Sequence, residues 1–107
     1  MRIYLVITAL LLSLTSFTAT SNDASRAELG QQKSPSCVFC HVPYGKPTQL
    51  EYPNLNGQDP LYLFNAMKAY KDGERVGALA EMMQAQLQNL SDEDLRDVAA
   101  FYSQATP

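Results

Sequence analysis

The sequence predicts an all-α domain of three to four helices, and three observations carry the prediction. No stretch of useful length alternates apolar and polar residues at period two, which is the mark of a half-buried strand. Two segments are bracketed by helix-start and helix-stop residues around an apolar stripe, one from Asp59-Pro60 to Gly73 and one opening at Ser91. The long segment between His41 and Asp59, with Pro43, Gly45, Pro47, Pro53 and Gly57, follows neither period. It reads as a loop, and loops of that length in compact domains usually wrap something functional.

The first twenty residues, MRIYLVITALLLSLTSFTAT, are of a different kind. One cation, Arg2, precedes an apolar core from Ile3 to Leu14, and small and hydroxylic residues follow, with Thr18 and Thr20 spaced as a small-x-small cleavage signal. The strongly apolar part is shorter than the ~20 residues needed to span hydrocarbon. Residues 1–20 therefore read as a secretory signal peptide and residues 21–107 as one mature domain, exported to the periplasm and not membrane-spanning.

In the mature chain Ser25 reads as the N-cap of a first helix, with Glu28 three residues on to close a capping box. That helix is expected to stop near Lys33, because Pro35 lacks an amide hydrogen and biases Ser34 away from helical angles. Asp59 suits the N-cap of the second helix, Pro60 its first position and Gly73 its stop. Its stripe is Leu63, Met67 and Tyr70. ALAEMMQAQLQ reads as a short third helix. The last helix opens at Ser91, carries Asp92, Glu93 and Asp94 at the positive end of the helix dipole, and lines up Leu95, Val98, Ala99 and Tyr102 on one face.

A net charge of −3, with Lys and Arg scattered singly, leaves no basic stripe to follow a phosphate backbone and argues against nucleic acid as a partner. A domain this small has only a modest core and usually needs a staple, such as a disulfide, a metal or a buried cofactor.

The place for a staple is CVFCH, where Cys37, Cys40 and His41 bring together both cysteines and the only histidine of the chain. Zinc needs about four ligands, and no further Cys or His remains. A thioredoxin-like C-x-x-C sits at a helix start in a βαβ context, and no strand pattern surrounds this one. A disulfide across two intervening residues closes a tiny loop, stabilises little through loop entropy and leaves His41 unexplained. Covalent haem attachment by C-x-x-C-H uses all three residues. Two thiols one helical turn apart face the same way and can add to two vinyl groups, while the next residue projects an imidazole toward the iron.

CVFCH, PNLNGQ, DPLYLFNAMKAYKDGER and MMQAQLQNLSDEDLRDVAAFYS together resemble the small class I c-type cytochromes of bacteria, the branch that includes single-haem and tandem dihaem electron carriers. The likeness runs from about Glu28 to Ser103. It implies a small cytochrome c fold, with helices and long loops wrapped around one covalent haem c. It implies thioethers at Cys37 and Cys40, His41 as proximal iron ligand, Pro53 and Leu55 in the loop beside that histidine with the Pro53 carbonyl as acceptor for the imidazole, and Gly30 at a close crossing of the first and last helices near Phe101 and Tyr102. The chain departs from the family pattern in having Val42 and Pro43 after the histidine, where Gly is usual, and Pro35 ahead of the motif. Both bear on the backbone path around the attachment turn and on how open the haem edge is.

For the sixth ligand the mature chain offers Met67, Met82 and Met83. Met83 stands seven residues before Leu90 of LSDEDL, the spacing at which the family places its axial methionine, so the resemblance implies Met83, with Met82 and Met67 as packing. With both axial positions filled, the iron has no vacancy for substrate. The expected function is one-electron transfer rather than catalysis, through an exposed haem edge to redox partner proteins, weakly steered toward basic docking surfaces. The rival readings are a haem subunit of a respiratory complex and an open-site haem enzyme or sensor. Against the latter stands the lack of a His or Arg near MMQAQLQ.

Overall fold

A computed structural model of the chain describes residues 20–44 and 52–107. The expected signal peptide, apart from Thr20, lies outside the described residues. Those residues form four α-helices: α1 Thr20–Gln32, α2 Pro60–Lys71, α3 Ala78–Leu87 and α4 Asp92–Gln104, with a single 3-10 turn at Cys37–Phe39. There is no strand among them. The all-α, cytochrome c-like architecture expected from the sequence is what forms. None of the described helices is long and apolar enough to cross a membrane.

Helix α4 is the centre of the fold, packing against α1 on one side and α2 on another, while α3 packs on α2. Its start is set locally: the Ser91 hydroxyl accepts from the Asp94 amide at 3.1 Å and the Asp94 carboxylate accepts from the Ser91 amide at 2.9 Å, a complete capping box. Beyond the cap, Leu95 and every residue from Asp97 to Tyr102 are buried, because the helix has neighbours on more than one face. Leu63, Val98, Ala99, Phe101 and Tyr102 make the core cluster, and Cys37, Val38, Leu55, Phe64 and Met67 pack against it. The cysteine-bearing turn is thus built onto the core.

The close crossing expected at Gly30 is present. A Cβ at Gly30 would stand 1.9 Å from the Asp97 carbonyl oxygen and 2.8 Å from Phe101 Cβ, so only glycine lets α1 and α4 approach this closely. The contact is fastened by Asp97, which is 2% exposed. Its carboxylate accepts from Arg26 Nη1 at 2.9 Å and from Lys33 Nζ at 2.6 Å, both on α1.

Helix α1 starts earlier than expected. Ser25 lies inside it and is no N-cap; its hydroxyl donates back to the Asn22 carbonyl at 3.0 Å, the usual way a serine is accommodated within a helix. No Gly or Pro between Thr20 and Ser25 opposes the extension, and Gln104 Nε2 donates to the Asp23 carbonyl at 3.1 Å, holding the added turn against α4. The stop falls at Gln32, where Ser34 and Pro35 end the helix; the buried Ser34 hydroxyl donates to the Gly30 carbonyl at 2.6 Å.

The expected ends of α2 are both present. The Asp59 carboxylate accepts from the Tyr62 amide at 2.9 Å, Pro60 takes the first position, and Gly73 follows with φ of 73°.

Candidate functional site

After α1 ends, the Ser34 carbonyl accepts from the amides of Cys37 at 3.0 Å and Val38 at 3.2 Å, which winds the chain into the 3-10 turn. In a 3-10 turn residues i and i+3 eclipse, so Cys37 and Cys40 project to the same side. Both thiols are free and half-buried. Burial pushes the Cys37 thiol up, against the opposing effect of hydrogen bonds from Ser36 and Ser34. The turn closes with the His41 amide donating to the Cys37 carbonyl at 2.8 Å, and this fixes the histidine directly after the second cysteine.

His41 is 7% exposed. Its Nδ1 lies 2.8 Å from the Pro53 carbonyl oxygen, as the resemblance implied. A carbonyl can only accept, so Nδ1 is the donor in this contact, and in the neutral ring Nε2 then carries the lone pair. The Tyr52 ring meets the imidazole edge-on, with centroids 6.4 Å apart. Behind the histidine, the Tyr102 hydroxyl donates to the His41 carbonyl at 2.7 Å, and Asn56 Nδ2 donates to the Val42 carbonyl at 3.1 Å. Burial holds the Tyr102 phenol well above its usual range, so it remains a neutral donor.

These groups open onto one cavity, whose free space, mouth included, is about 1160 Å³. Cys37, Cys40 and His41 line it from the attachment turn, Leu63, Met67 and Tyr70 from the stripe of α2, and Val98, Ala99 and Tyr102 from α4. Helix α3 contributes Leu79, Met82, Met83 and Leu87, so both candidate methionines face the cavity. Met83 is half-buried, whereas Met82 is 37% exposed. Met67 lines the cavity too, packed against the core.

Helix α3 is anchored by polar contacts at its far end. Lys71 Nζ donates to the Leu90 carbonyl, and the Lys71 carbonyl accepts from Gln88 Nε2 at 3.2 Å. The methionine-bearing helix is therefore tied to the end of α2.

The residues present fit a covalent haem. The cradle is mostly apolar, two thiols stand on one side of a single turn that lines it, the imidazole meets Pro53 through Nδ1 and so has Nε2 to spare, and methionine side chains line the cavity from another helix. Every sequence-predicted site residue lies on this cavity. Sequence reasoning missed the polar groups behind it. Tyr102 was legible only as a stripe residue and Asn56 only as part of PNLNGQ, because a hydroxyl or amide that bonds to a distant carbonyl leaves no local period.

The sequence model of the family Cytochrome c matches residues 27–106. The chain is similar to cytochrome c-554(548) of Halomonas halodenitrificans, 46% identical over 80 residues that cover 75% of this chain and 96% of that protein. It is also similar to cytochrome c4 of Pseudomonas aeruginosa, 38% identical over 98 residues that cover 92% of this chain and 47% of the other. A third likeness is to the thiosulfate dehydrogenase electron acceptor of Stutzerimonas stutzeri, 29% identical over 73 residues, 68% of this chain and 34% of that one. The chain spans about half the length of the cytochrome c4 proteins it matches. With the profile covering most of the chain and the apolar cradle opposite a C-x-x-C-H turn, the chain belongs to the cytochrome c family of haem-bearing electron carriers, as a small class I c-type cytochrome with covalent haem c.

Proposed function

We propose that this protein is a one-electron carrier with His/Met axial ligation, in which Cys37 and Cys40 form the thioethers, His41 is the proximal ligand and Met83 the sixth. The observation that carries the reading is the single cavity onto which the attachment turn and α3 both open, with His41 Nδ1 already engaged by Pro53. Bound there, haem supplies the one-electron couple. The protein's own residues hold the imidazole tautomer, keep the cavity apolar and present a sulfur from α3. Met83 is the less exposed of the two, which supports it over Met82.

Redox partners meet the molecule at the cavity mouth, where Leu79 and Met82 line the cavity and remain exposed. An apolar rim of this kind suits brief, small encounters. We place the mature protein in the periplasm, with residues 1–20 removed as a signal peptide, on the strength of Arg2 and the short apolar run after it. Optical spectra of the purified oxidised and reduced protein test the reading. A c-type spectrum with the weak near-infrared sulfur-to-iron band of the oxidised form is expected, together with colour that survives acid-acetone extraction. Colourless protein with a Cys37–Cys40 disulfide, purified from a cell competent for haem attachment, would refute it.

A further inference from the structure

We infer that Tyr102 is a positioning residue for the proximal imidazole: with Asn56 it clasps the segment carrying His41 to the loop carrying Pro53, so that the C-terminal helix sets the His41–Pro53 hydrogen bond. The inference rests on the reading of His41 as the iron ligand.

That hydrogen bond is 2.8 Å long, yet it joins residues twelve apart through a segment with no helical or strand period. A single bond across such a segment does not fix its own length. Three others close around it. The buried Tyr102 hydroxyl donates to the His41 carbonyl at 2.7 Å, the Gly57 amide donates to the Tyr102 carbonyl at 3.0 Å, and Asn56 Nδ2 donates to the Val42 carbonyl at 3.1 Å. Tyr102 thus grips both segments with two different oxygens. Its carbonyl lies in the last turn of α4, where it accepts from the Ala105 amide at 3.2 Å and keeps a second lone pair for the Gly57 amide.

The grip is buried. Tyr102 is 1% exposed and Asn56 4%, so water does not compete for these bonds. The Tyr102 ring packs at an angle on Phe101, centroids 5.0 Å apart, within the core cluster. Gly57 lets the loop lie this close: its φ is 72°, and a Cβ there would stand 2.5 Å from Pro107 Cγ. The length and alignment of the Nδ1–H···O bond govern how basic the imidazole is toward a metal. A residue that fixes that bond therefore acts on the iron through His41, without touching it.

The test compares the haem-loaded wild type with Tyr102→Phe, which removes only the hydroxyl, with Asn56→Ala, and with Asp97→Asn as a control that loosens α1 against α4 outside the clasp. NMR follows solvent exchange of the His41 Nδ1 proton, and voltammetry the reduction potential. Tyr102→Phe is expected to speed that exchange roughly tenfold, the factor for losing about one net hydrogen bond, and to move the potential. Asn56→Ala is expected to act in the same direction, and Asp97→Asn to lower the melting temperature while leaving both readings unchanged. In the wild type, the Gly57 amide and the His41 Nδ1 proton are expected to exchange through one opening with one denaturant dependence. The inference is overturned if Tyr102→Phe only lowers the melting temperature, or if the two wild-type protons exchange independently. If Tyr102→Phe does not fold, Asn56→Ala and the wild-type exchange decide. Absence of haem-shifted His41 resonances in the wild type would instead sink the assignment of His41 as ligand, an outcome distinct from the others.

Discussion

Substituting Gly30 by Ala tests how the two terminal helices hold the site together. The added Cβ would stand 1.9 Å from the Asp97 carbonyl oxygen, 2.5 Å from its carbon and 2.8 Å from Phe101 Cβ. Relaxed contacts between carbon atoms lie at about 3.5–4.0 Å, so α1 and α4 must part by more than about 1 Å. The obstacle is backbone, which cannot rotate away. Parting also stretches the Arg26–Asp97 pair at 2.9 Å and the Lys33 pairs with Asp97 at 2.6 Å and Asp94 at 2.7 Å. Overpacking of this kind costs about 3 kcal/mol, the upper part of its usual range. Alanine's better helix propensity offsets at most ~1 kcal/mol of that. The expected net loss is about 2 kcal/mol, or roughly 8–16 °C in melting temperature for a domain of this size. Thermal and guanidinium melts of haem-loaded protein, followed by far-ultraviolet circular dichroism, read it directly. A melting temperature equal to or above wild type would mean that propensity outweighs packing at this crossing, and the account of Gly30 would be wrong.

Asp97→Asn leaves a neutral amide between two cations; because Arg26 and Lys33 are each about a third exposed and keep part of their hydration, the loss falls below that of a fully buried pair, at about 2 kcal/mol in a urea melt. Asp94 gives a pH signature: hydrogen bonding from Lys33, helped by the Ser91 cap, holds its carboxyl at about 2, below the ordinary 3.8. A folded value below the unfolded one contributes stability that is present above about pH 4 and is lost as the pH falls through about 2. Stability measured from pH 6 downward is therefore expected to decline less steeply in Asp94→Asn, and parallel curves would contradict the Lys33 contact. Met83→Ala is expected to remove the near-infrared band, lower the potential and open the iron to carbon monoxide, while Met82→Ala keeps the band and changes stability. The reverse pattern would exchange their roles.

The parts of the fold that were legible are those whose signals are local. Helix α4 could be read because its cap, acidic first turn and stripe all lie within twelve residues, and each depends on neighbours one turn away. Helix α2 was legible for the same reason, bracketed by Asp59-Pro60 and Gly73. The start of α1 was not, because Ser25 is a sound cap in isolation and what draws the helix past it includes a tertiary bond from Gln104, 81 residues away. The attachment turn was legible through chemistry: two cysteines and the lone histidine in five residues have few joint uses.

What stayed hidden shares one physical cause. Periodicity reports which face of a helix is buried, and says nothing of which polar atom on that face meets which carbonyl. Asp97 interrupts the apolar run between Leu95 and Val98, and the sequence alone does not say that its partners are Arg26 and Lys33, 71 and 64 residues away. Tyr102 reads as one more stripe residue, and its hydroxyl reaches the His41 carbonyl across 61 residues. Met82 and Met83 were separated only by the family's spacing to Leu90, because both of these successive helical residues line the one cavity. The reactive groups of this protein are therefore adjacent in sequence, whereas the groups that hold them in place are assembled only by the fold. Substituting Cys37 or Cys40 should leave at most one thioether, while substitutions at Tyr102 or Asn56 should leave haem attached and move the potential, and substitutions at Asp97 or Gly30 should lower stability.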